Sequence, residues 1–62
     1  MTKSEFIKSL RSELGKSQKA FAKENGLPTI TIQSWERGVR EPKLEKCIAL
    51  AKKYGKDYSV LL

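Results

Sequence analysis

Gln18–Arg37 reads QKAFAKENGLPTITIQSWER. It holds two short helical patterns with a glycine between them and no room for a long loop. Ser17 can cap the first, because its hydroxyl accepts from the backbone N–H groups left without partners at a helix start. Phe21 and Ala22 then face inward. Gly26 is a good stop, since glycine takes a left-handed backbone with no Cβ penalty. The second pattern runs from about Thr29 to Arg37. At about 100° per residue, Ile32 and Trp35 share one face, and Thr29, Ile30, Gln33, Ser34 and Arg37 fall on the opposite one. Leu27–Ile32 also alternates with β-branched residues, which is compatible with a strand. A strand needs a partner, however, and no second segment offers one. The expectation is a helix.

The flanks extend the same pattern. Thr2-Lys3-Ser4-Glu5 fits a capping box, with Thr2 as cap and Glu5 reaching back. The helix that follows places Phe6, Ile7, Leu10 and Leu14 on one stripe, and Gly15 ends it. Gly38–Pro42 is a connector, and Pro42 can occupy the first turn of a fourth helix. That helix is expected to run to about Tyr54, burying Leu44, Cys47, Ile48 and Ala51. Gly55 stops it, and Asp57 can cap a last short helix carrying Tyr58, Leu61 and Leu62. The expected fold class is all-α, a compact bundle of about five short helices round one core, with residues 1–62 forming one domain.

Composition narrows the function. A chain of 62 residues is near the lower limit for folding without staples. Thirteen Lys and Arg against seven acids give a net charge of +6 and a pI near 9.7. That excess favours nucleic acid or an anionic membrane surface as partner. Cations spread over several faces argue against a membrane-bound amphipathic helix, and no apolar run approaches a membrane span. The N-terminus lacks a signal-peptide apolar region. One cysteine cannot form an internal disulfide, which suits a reducing cytoplasm. With no histidine and one cysteine, neither a metal site nor a cofactor is expected. With no clustered carboxylates either, general acid–base catalysis lacks its parts, so no catalytic residues are assigned.

The outer face of the second pattern combines small, hydrogen-bonding, methyl-bearing and cationic side chains. Such a face suits a helix laid in the DNA major groove, where Gln33 matches adenine and Ile30 a thymine methyl. The free N–H groups and dipole at the start of the preceding helix, around Ser17, Gln18 and Lys19, favour a backbone phosphate.

The whole stretch resembles the helix-turn-helix of the phage repressor and Cro family of DNA-binding regulators. The matching residues are Gln18, Ala22, Gly26, Ile32, Trp35 and the trailing Glu36-Arg37-Gly38. The flanking segments match as well, so the resemblance covers most of the chain. It departs at Pro28, where the family usually places a polar cap for the recognition helix.

The resemblance implies a lambda-repressor-like domain with its helix-turn-helix at about 18–37 and its recognition helix at about 29–37. Thr29, Ile30, Gln33 and Ser34 would read bases. Ser17, Gln18, Lys19, Arg37, Arg40 and Lys43 would hold phosphates. Arg11 would pair with Glu36 as a structural link. The implied partner is double-stranded DNA, bound as a homodimer through contacts near Arg40, Tyr58 and Leu61, with repression where the site overlaps a promoter. An antitoxin that binds a partner protein and autoregulates through the same helices is the alternative. The lack of an extension to wrap a toxin weighs against it.

Overall fold

The computed structural model describes all 62 residues. Four α-helices follow one another: α1 (Lys3–Glu13), α2 (Gln18–Glu24), α3 (Thr29–Arg37) and α4 (Leu44–Lys53). A single 3-10 turn, Ser59–Leu61, closes the chain. There is no strand, so Leu27–Ile32 resolves as a turn leading into a helix.

Local chemistry sets each boundary. Thr2 Oγ1 accepts from the Glu5 amide at 3.1 Å, and Glu5 Oε1 accepts from the Thr2 amide at 2.9 Å. This reciprocal capping box starts α1. Ser17 Oγ accepts from the Ala20 amide at 3.0 Å and starts α2. α3 begins at Thr29 behind Pro28, which has no side-chain acceptor to offer. The fixed ring of Pro28 still supplies the extended entry, with φ −65° and ψ 145°. The helix C-termini close on left-handed glycines. At Gly26, φ +65°, the Leu27 amide reaches back to Ala22 O at 2.9 Å. That reverse turn makes the tight corner between α2 and α3 possible.

The core is one cluster drawn from every α-helix: Phe6, Ile7 and Leu10 from α1, Phe21 and Ala22 from α2, Ile32 from α3, and Cys47, Leu50 and Ala51 from α4. Leu14, Leu27, Trp35, Tyr54, Tyr58 and Leu61 pack round it half-buried. Phe21 stacks on Tyr54 with ring centroids 5.8 Å apart.

Two expectations are corrected. The fifth helix is only the 3-10 turn, so the fold has four α-helices. Asp57 acts locally there, accepting from the Ser59 amide and hydroxyl, both at 2.9 Å. At α4, Pro42 lies outside the first turn. Its ring is fully buried, and Lys43 is still extended, so the helix begins at Leu44. The inward stripe also differs. Leu50 is buried with Cys47 and Ala51, while Leu44 and Ile48 are half-buried.

Cys47 has no exposed surface, and burial pushes its thiol above the ordinary value. Labelling therefore requires opening of the fold. A chain this small is held by about 3–5 kcal/mol, which slows labelling roughly a hundredfold or more. Thiol-reagent kinetics in native and denaturing buffer measure the ratio. Equal rates would remove Cys47 from the core.

Candidate nucleic-acid interface

α2 and α3 meet at the Asn25–Pro28 corner, and α1 packs behind them. The inward side of α3 is Ile32, fully buried, with Trp35 half-buried beside it and Glu36 turned the same way. The outward side is graded. Ile30 is 62% exposed at its centre, Thr29, Gln33 and Ser34 are half-buried on the flanks, and Arg37 is exposed at the end.

Arg11 fixes how α3 sits. Its Nε donates to Glu36 Oε2 at 2.6 Å and its Nη2 to Oε1 at 3.0 Å, a bidentate pair joining α1 to α3. Its Nη1 donates to the Lys16 carbonyl at 2.8 Å, between α1 and α2. Gln18 Nε2 adds a bond to Glu36 Oε1 at 3.3 Å. The two charged side chains are only 17% and 5% exposed. Burial alone would raise the Glu36 carboxyl. The hydrogen bonds from Arg11 and Gln18, with the arginine charge, outweigh it and hold the carboxyl below its ordinary range. The same bond raises Arg11, which is charged in any case.

A second polar cluster holds the corner from the α4 side. Asn25 Nδ2 donates to Phe21 O at 2.9 Å and to the Tyr54 hydroxyl at 3.0 Å, and that hydroxyl donates to Glu24 Oε1 at 2.6 Å. Lys53 Nζ donates to Asn25 Oδ1 at 2.9 Å, and Lys16 Nζ lies 2.8 Å from Glu24 Oε2. Hydrogen bonding from Lys16, then from Tyr54, lowers the Glu24 carboxyl. Asn25 standing just before Gly26 was the available sequence signal for this cluster, because asparagine suits a helix C-terminus.

The expected phosphate-binding residues fall at the start of α2 and after α3. Ser17 is occupied in capping α2, and the Gln18 side chain is turned toward Glu36. No intrahelical acceptor exists for the Gln18 and Lys19 amides, the first of α2. After α3, Gly38 takes φ +76° and the chain folds back. The Val39 and Arg40 amides both reach Ser34 O, at 3.0 and 3.3 Å. Arg40 is thereby held beside the end of α3 that carries Arg37. Lys19, Arg37, Arg40 and Lys43 are exposed, and none of them makes an ion pair. Thr31 in α3 is half-buried, and Val39, next to Arg40 in the chain, is 72% exposed.

A family model described as helix-turn-helix matches residues 7–61. The chain belongs to this helix-turn-helix family, of the Cro and phage-repressor type. It is a DNA-binding regulatory protein by that membership. No curated protein and no solved structure matches the chain. The helix-turn-helix unit is α2, the Asn25–Pro28 corner and α3. No group of His, Cys, Asp and Glu side chains converges in a way that could hold a metal ion, and no helix is long and apolar enough to cross a membrane.

The Arg11–Glu36 pair yields a prediction. Arg11→Met and Glu36→Leu should show a coupling energy of about 1–3 kcal/mol in a double-mutant cycle of unfolding free energies. The sign of its pH dependence follows from the lowered Glu36 carboxyl. The pair's stabilisation is complete above the unfolded-state glutamate value near about 4.3 and is lost as pH falls through the lower folded value. The stability gap between the parent and Glu36→Gln should therefore narrow on acidification from about pH 6 to about pH 3. A gap constant with pH, or a coupling energy of zero, would contradict this assignment.

Proposed function

We propose that this helix-turn-helix protein is a sequence-specific repressor that lays α3 in the major groove, with α2 resting on the phosphate backbone. The observation that carries the reading is the division of α3. Its only acid is buried in an ion pair, while its outward side presents Ile30 and the polar flanks next to exposed cations without acidic partners. Exposed Ile30 on a solvated surface gains nothing, whereas a base edge gives it an apolar partner. Thr29, Ile30, Gln33 and Ser34 read bases. Arg37, Arg40 and Lys43 on one side, and Lys19 with the first amides of α2 on the other, hold phosphates and set register.

One such helix covers only a few base pairs, so the protein binds an inverted repeat as a symmetric dimer. The exposed apolar side chains outside α3 support this. Val39 lies in the connector next to Arg40, and Val60 (54% exposed) and Leu62 (80% exposed) lie beside Tyr58 and Leu61. Repression follows where the bound site overlaps a promoter.

Selection of bound sequences from random duplexes is the test. A palindromic consensus is expected, and recovery of unrelated sequences would overturn the reading.

Within that site, reading and anchoring separate. Gln33→Ala removes a donor and acceptor that pair with one base. It should cost about 1–3 kcal/mol at that position and relax preference there. Arg37→Ala should weaken all sequences alike and lower the log–log salt slope by about one unit. Titrations of each folded variant against the selected site and its single-base changes, at several salt concentrations, measure both. Unchanged base preferences in Gln33→Ala, or a single-base effect in Arg37→Ala, would reverse the roles.

A further inference from the structure

We propose that the base pairs under the N-terminal half of α3 are A·T pairs, recognised by a thymine methyl seated on Ile30 and an adenine edge paired with Gln33. The inference rests on base reading by α3 and adds to it the kind of sequence read.

It follows first from what α3 lacks. The strongest guanine reader is a bidentate Arg or Lys, and cytosine is read by a carboxylate accepting from its amine. α3 carries no lysine, and its one arginine, Arg37, is its last residue. Arg37 lies seven residues beyond Ile30, about 10 Å along the axis, while helix-turn-helix docking brings the N-terminal residues of the recognition helix to the base edges. The only carboxylate is Glu36. Its side chain is 5% exposed and both its oxygens accept from Arg11 or Gln18. Neither reader of a G·C pair is therefore available where the bases are met.

It follows equally from what α3 offers. Ile30 is 62% exposed at the centre of the outward face, with Thr29 and Thr31 to its sides adding a methyl each. The C5-methyl of thymine is the one apolar group on a major-groove base edge. Set against a G·C pair, Ile30 would cover an amine or carbonyl and return no hydrogen bond, which costs the desolvation of that group. Gln33 stands one turn further on, and its amide matches the N7 acceptor and N6 donor of adenine. Ser34 and Thr29 accept either base type and do not oppose the preference. Cation contacts from Arg37 and Arg40 go to phosphate and carry no sequence information.

The test takes the consensus selected from random duplexes and replaces each thymine in turn by deoxyuridine, which keeps O4 and deletes only the methyl. Affinities are measured for the parent and for Ile30→Ala, whose fold is checked by circular dichroism. Each half-site should contain neighbouring A·T pairs, one met by Ile30 and one by Gln33, which stand about 4.5 Å apart along the helix axis. At one thymine of these pairs, deoxyuridine should weaken the parent roughly fourfold and Ile30→Ala less than about twofold. G·C pairs fixed at these positions, or deoxyuridine tolerated at every thymine, would overturn the A·T assignment while leaving base reading in place. Absence of any consensus would remove base reading itself, and the assignment with it.

Discussion

One guanidinium ties together the parts of the molecule that must not move. Arg11 spends Nε and Nη2 on Glu36 of α3 and Nη1 on the Lys16 carbonyl between α1 and α2, and Glu36 in turn receives the Gln18 amide at the start of α2. A planar fork with fixed donor directions can hold three elements in a way that a lysine ammonium cannot. The desolvation of both charges offsets much of their attraction, so the pair's worth lies in geometry more than in net stability. With Ile32 as the only fully buried residue of α3, apolar packing alone leaves that helix few constraints on its rotation. The ion pair supplies one, and Gly38 with its return to Ser34 supplies another.

That rotation determines the chemistry of the outer surface. Turning Glu36 inward removes the single negative charge of α3 from the side where phosphates would lie. The outward side keeps an apolar centre, polar flanks and a cationic end. Elsewhere, Lys16, Lys53 and Lys56 are engaged with Glu24, Asn25 and Glu13, while Lys19, Arg37, Arg40 and Lys43 have no acidic partner. Those four cations flank α2 and α3 in the chain and contribute unpaired charge there to the net +6. Met1, Phe6, Leu10 and Val60 line a shallow groove with Ser9, Glu13, Lys56 and Asp57. The acids there disfavour a phosphate backbone.

Much of the fold was legible because short-range rules govern it. The Thr2–Glu5 box, the Ser17 cap and the glycine stops fix helix ends within a few residues of chain, and α3 spans Thr29–Arg37 as its apolar phase indicated. The misreadings concern choices made by tertiary packing. Pro42 is compatible with a first helical turn, but its ring is buried and α4 starts at Leu44; the packing of α4 turns Leu50 inward and leaves Ile48 half-buried. Asp57 had the chemistry of a cap but serves only a 3-10 turn, accepting from Ser59 two residues on. At the candidate site, helical phase could group the outward residues of α3. No local pattern connects Tyr54 and Lys53 to Asn25 across almost thirty residues. Those contacts exist only once α4 has packed against the end of α2.

The central claim is that the outward side of α3, with the cations flanking it, is where DNA binds. A titration of the 15N-labelled protein with its selected duplex tests this residue by residue. Amide shifts should concentrate at Ser17–Lys19, across α3 and along Gly38–Lys43, and the Gln33 side-chain amide should move with them. The Arg11 Nε–H signal should persist unchanged in its ion pair. Shifts confined to the groove lined by Met1, Leu10 and Val60, with α3 unperturbed, would contradict the claim.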